Sequence, residues 1–236
     1  MAHAVSTASG ACPAISAEHL SKDYHHAPVL RDVNVSVNAG ECFALFGANG
    51  AGKTTLLRIL ATLQRPTGGH FVLGGHDGVK AREDARRLLF LIGHGSHHYD
   101  ELSAAENLSF ALKLRGLALA GGDAAVALER VGLGRFAEAR VRTFSSGMKK
   151  RLAFAKAMLI RPAILLLDEP YAALDERAME MVNGFIRERM DSGGAVFMTT
   201  HNRQLTAQVA SRVGVMEKGC INETGVADIL ERDELF

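Results

Sequence analysis

The sequence predicts an α/β protein with a parallel-sheet core, an antiparallel β layer towards the N-terminus and an inserted helical subdomain. Three observations carry that prediction. The short apolar runs at 42–46, 164–167 and 195–199 have the length of strands buried on both faces. Val33, Val35 and Val37 alternate with Asn34 and Ser36, as a half-buried strand requires. From about 103 to 156 the apolar spacing becomes helical, through Leu108, Ala111, Leu112, Leu128, Val131, Leu152 and Ala155.

The elements follow in order. Strands are expected at 15–24 and 29–37, and the turn Asn38-Ala39-Gly40-Glu41 leads into the strand 42–46. A helix is expected over 54–60, then a turn, short strand and turn over 67–75, and a short strand at 88–92. Gly121, Gly122, Gly132 and Gly134 break the helical stretch into pieces. A helix at about 178–190 separates the last two apolar strands. At 236 residues this makes one domain over 15–236, with the helical subdomain at about 100–160. Residues 1–14 read as a flexible tail, because they lack the basic start and apolar stretch of a secretion signal.

The first chemical motif follows the 42–46 strand. Gly47-Ala48-Asn49-Gly50-Ala51-Gly52-Lys53-Thr54-Thr55 fits the phosphate-binding loop of Gly, four residues, Gly, Lys and Ser/Thr. This makes the expected fold a P-loop NTPase. The glycines let the backbone close around a polyphosphate with its N–H groups turned inward. Lys53 brings a positive charge to the terminal phosphates, and the Thr54 hydroxyl suits Mg²⁺. The helix that follows points its positive end at the same anion. The chain is therefore expected to bind ATP with Mg²⁺.

Further candidates lie downstream. Asp168 and Glu169 end an apolar strand, where ligands of parallel sheets bind; Asp168 suits a Mg²⁺ contact and Glu169 the polarisation of an attacking water. His201 ends the run Val196-Phe197-Met198-Thr199-Thr200 and can hydrogen-bond a γ-phosphate. Ser145 is an N-cap for a helix starting at about Gly147, which creates a second anion-binding end. His94, His97 and His98 lack ordered cysteine or carboxylate partners, and read as a solvated loop, not a metal site.

Composition excludes other classes. The net charge is +1, without a basic field for nucleic acid. The three cysteines, Cys12, Cys42 and Cys220, have neither disulfide nor zinc spacing and suit a reducing compartment. No apolar run approaches the roughly 18 residues of a membrane span.

Taken together, these motifs resemble the ATPase subunit of ATP-binding-cassette (ABC) transporters, over 15 to about 230. The phosphate loop is similar to the family's Walker A and 165–169 to its Walker B. Phe144-Ser145-Ser146-Gly147-Met148 is similar to its signature Leu-Ser-Gly-Gly-Gln. Ala173-Leu174-Asp175 resembles the D-loop, His201 the switch histidine, and Tyr24 the aromatic that stacks on adenine. The resemblance implies a head-to-tail dimer, with a second copy or a homologous subunit, that sandwiches two ATP molecules. Ser145 and Gly147 then contact the γ-phosphate in trans. It also implies integral membrane permease subunits as partners and a peripheral place on the cytoplasmic face of the inner membrane.

The departures narrow the subfamily in two directions. Met148 replaces the signature Gln, and His94 stands at the Q-loop position, where imidazole is a poor Mg²⁺ ligand. The Gly93-His94 pair, the Thr-Thr-His run and the chain length resemble the haem exporters of cytochrome c maturation. Ser-Ser-Gly-Met is more similar to drug, lipid or polysaccharide exporters. Exporter ATPase is the leading expectation. The alternatives are a non-transport ABC ATPase acting on ribosomes or DNA, and a catalytically silent nucleotide-binding module. Near-neutral charge and the absence of coiled-coil heptads argue against the first; Lys53, Asp168, Glu169 and His201 argue against the second.

Overall fold

The computed structural model describes residues 12–25, 27–93, 98–118 and 120–231. Most of the expected tail and the histidines His94 and His97 lie outside these residues. Strands β1 (Ile15–Tyr24) and β2 (Ala27–Val37) pair antiparallel, with Ile15 opposite Val37. Strand β3 (Cys42–Gly47) is buried along its whole length and runs into helix α1 (Lys53–Leu60). Next come β4 (Gly68–Leu73), β5 (His76–Asp77), α2 (Arg82–Leu88) and β6 (Leu89–Ile92). The expected strand at 88–92 therefore starts one residue late, behind a helix the sequence reading missed. Arg82, Glu83, Asp84, Arg86 and Arg87 hide the helical period, since of α2 only Ala85 is buried.

Three longer helices fill the middle of the chain: α3 (Ala104–Lys113), α4 (Asp123–Arg130) and α5 (Ser146–Ile160). Ser103 and Glu106 cap α3 reciprocally, which fixes where that helix begins. Leu108, Leu128, Leu152 and Phe154 of these helices share one apolar cluster with Phe46, Leu165 and Leu167 of the sheet. The helical segment is thus packed against the same core that positions the loop after β3.

The chain then forms β7 (Ile164–Asp168), α6 (Glu176–Asp191), β8 (Ala195–Thr199) and α7 (Arg203–Ala207). It ends in β9 (Arg212–Glu217), β10 (Cys220–Thr224) and α8 (Val226–Glu231). Beyond 199 the sequence reading assigned no element. Two sheets result, one antiparallel in the order β2-β1-β4-β5 and one in the order β10-β9-β3-β8-β7-β6. In the second, β9, β3, β8, β7 and β6 are mutually parallel, and β10 joins the edge antiparallel. This parallel order brings the carboxyl ends of β3, β7 and β8 side by side, where a parallel sheet presents its ligands.

Candidate nucleotide site

The loop after β3 is built to a tolerance that only glycine meets. Gly47 has φ +149° and a Cβ there would lie 2.6 Å from the Met216 carbonyl oxygen. At Gly52, with φ +110°, a Cβ would lie 2.9 Å from Leu30 Cδ2. Any other residue at these two positions is both conformationally strained and crowded. Gly52 lends α1 no side-chain cap, so no cap side chain covers the first N–H groups of the helix. Lys53 Nζ donates to the Gly47 carbonyl and, at 3.2 Å, to the Ala48 carbonyl. Burial lowers the Lys53 pKa, while Glu169 and Asp168 pull it back up.

The carboxylates stand opposite. Asp168 Oδ1 accepts the Thr199 hydroxyl at 2.6 Å, and Oδ2 accepts the Thr54 hydroxyl at 3.3 Å. Thr199 faces Asp168 across the β7–β8 ladder, so the sheet register itself sets this pair. The sequence reading missed the role of Thr199; the signal available was a polar residue closing an otherwise apolar strand. Glu169 adopts φ +48°, a left-handed conformation uncommon outside glycine, with its amide donating to the Thr199 carbonyl at 3.0 Å. Its Oε1 is buried and has no hydrogen-bond partner. His201 Nε2 lies 3.3 Å from that oxygen, but the contact does not meet hydrogen-bond geometry. His201 Nε2 also lies 3.4 Å from Lys53 Nζ. Burial raises the Glu169 pKa, against the opposing pull of His201 and Lys53.

Between these groups runs a cleft of about 450 Å³. Asn49, Gly50, Gly52, Lys53, Thr54 and Thr55 line it from the loop side; Asp168, Glu169 and His201 line it from the strand ends. Ala51 closes a turn by donating its amide to the Ala48 carbonyl, and neither Ala51 nor Gly47 lines the cleft. Thr54 and Asp168 supply the hard oxygens that suit Mg²⁺. Among the described residues no group of three or more His, Cys, Asp or Glu converges on a metal position. The donor set therefore fits a Mg²⁺ whose shell is completed by substrate phosphates and water.

Other expected residues are placed elsewhere. Ser145 caps α5, its Oγ accepting from the Met148 amide at 3.2 Å, and it is exposed. Neither Ser145 nor Gly147 lines the cleft of its own chain. Asp175 caps α6 by accepting the Ala178 amide at 2.8 Å. Tyr24 is exposed at the end of β1, bonded to Gln64 with the Lys22 ammonium 5.3 Å from its ring centre, and it does not line the cleft. His94 lies outside the described residues. His98 corrects the solvated-loop reading. Its Nε2–H donates to the Lys149 carbonyl and its Nδ1 accepts from Lys156, both at 2.8 Å. Burial and the neighbouring lysine push its pKa down to about 4, so it is a neutral structural histidine.

Comparison with known proteins agrees with this geometry. The family model described as ABC transporter matches residues 30–172. The sulfate/thiosulfate import ATP-binding protein CysA of Mesorhizobium japonicum is 34% identical over 89% of this chain and 62% of its own length. This chain thus spans about three-fifths of that relative. The daunorubicin/doxorubicin resistance ATP-binding protein DrrA of Streptomyces peucetius is 33% identical over 92% of this chain and 67% of its own. A solved ATP-binding subunit of an ABC transporter superposes with TM-score 0.85 at 27% identity, covering 92% of each chain. The cleft, its carboxylates and these matches lead to one conclusion: the chain belongs to the ABC transporter family.

Proposed function

We propose that this chain hydrolyses ATP to drive an exporter whose membrane-spanning subunits are separate chains. The observation that carries the hydrolysis reading is the buried Oε1 of Glu169, which has no hydrogen-bond partner and belongs to a residue lining the same cleft as Asp168, Lys53 and His201. A buried carboxylate oxygen without a donor is costly in a purely structural role, and it suits a water that must give up a proton. Ionised Glu169 polarises that water. Lys53 holds charge at the terminal phosphates, and His201 reaches the γ-phosphate beside it. Mg²⁺, when bound through Thr54 and Asp168, offsets negative charge on the phosphates. Asn49, Gly50, Gly52 and Thr55 orient the polyphosphate, and Tyr24 contributes at the adenine end.

The exposure of Ser145 and its absence from its own cleft support a head-to-tail dimer in which Ser145 and Gly147 reach the partner's nucleotide. Asp175 stands at the D-loop of that interface, His94 at the Q-loop, and 100–160 forms the helical subdomain that meets the permease. Among the described residues no helix is long and apolar enough to cross a membrane. Attachment to the inner face of the membrane then comes through the permease.

Export is supported by the Ser-Ser-Gly-Met signature and by the similarity to a drug-resistance protein. Neither relative quoted above is named for haem, and of the haem cues the Gly93-His94 pair includes His94, which lies outside the described residues. A second reading, import, is favoured by the sulfate/thiosulfate relatives. Purifying the tagged chain from membranes tests the proposal. The expected result is a co-purifying integral membrane protein and ATP hydrolysis by the complex; cargo flux in inverted vesicles then decides direction. A chain that hydrolyses ATP but never co-purifies with a membrane protein overturns the transport reading.

A further inference from the structure

Helix α5 touches the catalytic segment of its own chain at two points one turn apart. At Gly147 an added Cβ would lie 2.4 Å from the Ala173 carbonyl oxygen, so the helix rests directly on that backbone. Three residues on, and so on the same helix face, Lys150 Nζ donates to the Glu169 carbonyl at 2.6 Å. Glu169 and Ala173 both have positive φ, +48° and +62°. Such a conformation is unfavourable for residues with a side chain and persists only where the surroundings impose it. The Glu169 peptide is held by the Thr199 carbonyl on its amide, and by Lys150 and the Ala172 amide, at 3.3 Å, on its carbonyl. Lys150 supplies the charged bond of the three, and charge-assisted bonds are about twice as strong as neutral ones. Burial lowers the Lys150 pKa, while Glu169 and Asp168 pull it back up.

We propose that Lys150 is a positioning residue for Glu169: it fixes the left-handed peptide that aims the carboxylate into the cleft, and it ties that peptide to the helix that begins at Ser145. The inference rests on the functional reading above. Movement of the start of α5, where the partner's nucleotide is expected to engage, is then transmitted through one side chain to the hydrolytic carboxylate of the same chain. A cavity of about 480 Å³, lined by Lys150, Ala172 and Ala173, leaves room for a bulkier cation at the same place.

Lys150→Met and Lys150→Arg, made in the full chain, test this with two readouts. In the nucleotide-free protein, hydrogen exchange of the Ala172 amide should accelerate about tenfold in Lys150→Met and return towards wild type in Lys150→Arg, because one charged bond is lost and then replaced. Amides of α6 should not change. In steady-state assays Lys150→Met should lower kcat about tenfold with KM for ATP within about twofold, and Lys150→Arg should recover most of the loss. Wild-type exchange and wild-type kcat in Lys150→Met overturn the inference. Equal losses in both variants, with KM and thermal stability falling together, overturn it in favour of a packing role. A wild-type chain that never hydrolyses ATP refutes the functional reading instead, and the exchange measurement then decides the role of Lys150 by itself.

Discussion

Two helix N-termini in this molecule offer themselves to anions, and they are equipped differently. Helix α1 starts from Gly52, which gives no side-chain cap, and its first residue, Lys53, is buried in a cleft shared with Asp168, Glu169 and His201. Helix α5 starts from Ser145, an exposed residue whose hydroxyl already accepts from Met148. The two lysines of its first turns face elsewhere: Lys149 donates to Asp100 at 2.8 Å, and Lys150 donates to the Glu169 carbonyl. One end opens on a cleft that ionisable side chains share with it. The other carries a hydroxyl and backbone dipoles alone. Such an end becomes useful when another molecule brings the phosphate to it.

The largest expected effect strikes the chemical side of this comparison. Glu169→Gln should lower turnover by roughly two to four orders of magnitude, the usual contribution of a general base, while ATP affinity stays within a few-fold. Single-turnover hydrolysis and equilibrium nucleotide binding measure the two separately; a turnover close to wild type removes Glu169 from its role. The same residue sets a pH signature. Burial raises its pKa, so the ionised base is lost on acidification at a pH above the ordinary carboxylate value of 4.5, and the acid limb of the wild-type rate profile should lie there. Lys53→Ala should act on binding itself. Losing a charge-assisted contact of about 1.5–3 kcal/mol weakens ATP binding roughly 10- to 100-fold, measurable by titration with a fluorescent analogue.

The α5 side is expected to show itself first in stability. His98 bonds the Lys149 carbonyl, and its folded pKa of about 4 lies below its ordinary 6.5. The fold therefore favours the neutral ring. That stability is present above pH 6.5 and is lost as the pH falls towards 4. Between pH 7 and pH 5 the loss should be about 2 kcal/mol. His98→Gln keeps an acceptor for Lys156 and a donor for Lys149 but does not titrate, so its urea midpoint should change much less over that interval. Equal acid sensitivity in the two proteins removes His98 as the cause.

The smallest effect is the most direct probe of the comparison. A mixed dimer pairs one subunit carrying Lys53→Ala with another carrying Ser145→Arg. If Ser145 serves its partner's nucleotide, both defects fall in one composite site and the other stays whole, so about half of the nucleotide trapping should survive. If Ser145 serves its own chain, each site has one defect and trapping disappears at both. Quantifying trapped nucleotide per dimer separates the outcomes.

Much of this site is legible in the sequence because its parts are local. The phosphate loop is nine consecutive residues whose glycines and lysine act through their own backbone and neighbours. The strand ending in Asp168 and Glu169 and the Ser145 cap are likewise encoded in adjacent residues, as are the apolar runs of β3, β7 and β8. Short-range patterns fail where burial is slight, as at α2, and they give no element for β9, which lies inside the sheet, or for the edge strand β10. What the sequence cannot encode locally is what meets across the fold. Only the sheet register puts Thr199 on Asp168. Only the packing of α5 brings Lys150 to the Glu169 carbonyl and takes His98 out of solvent. The left-handed turn at Glu169 runs against local preference, and contacts more than 15 residues away in the chain hold it. Local chemistry names the reacting groups, whereas their aim depends on long-range packing that a linear pattern does not contain.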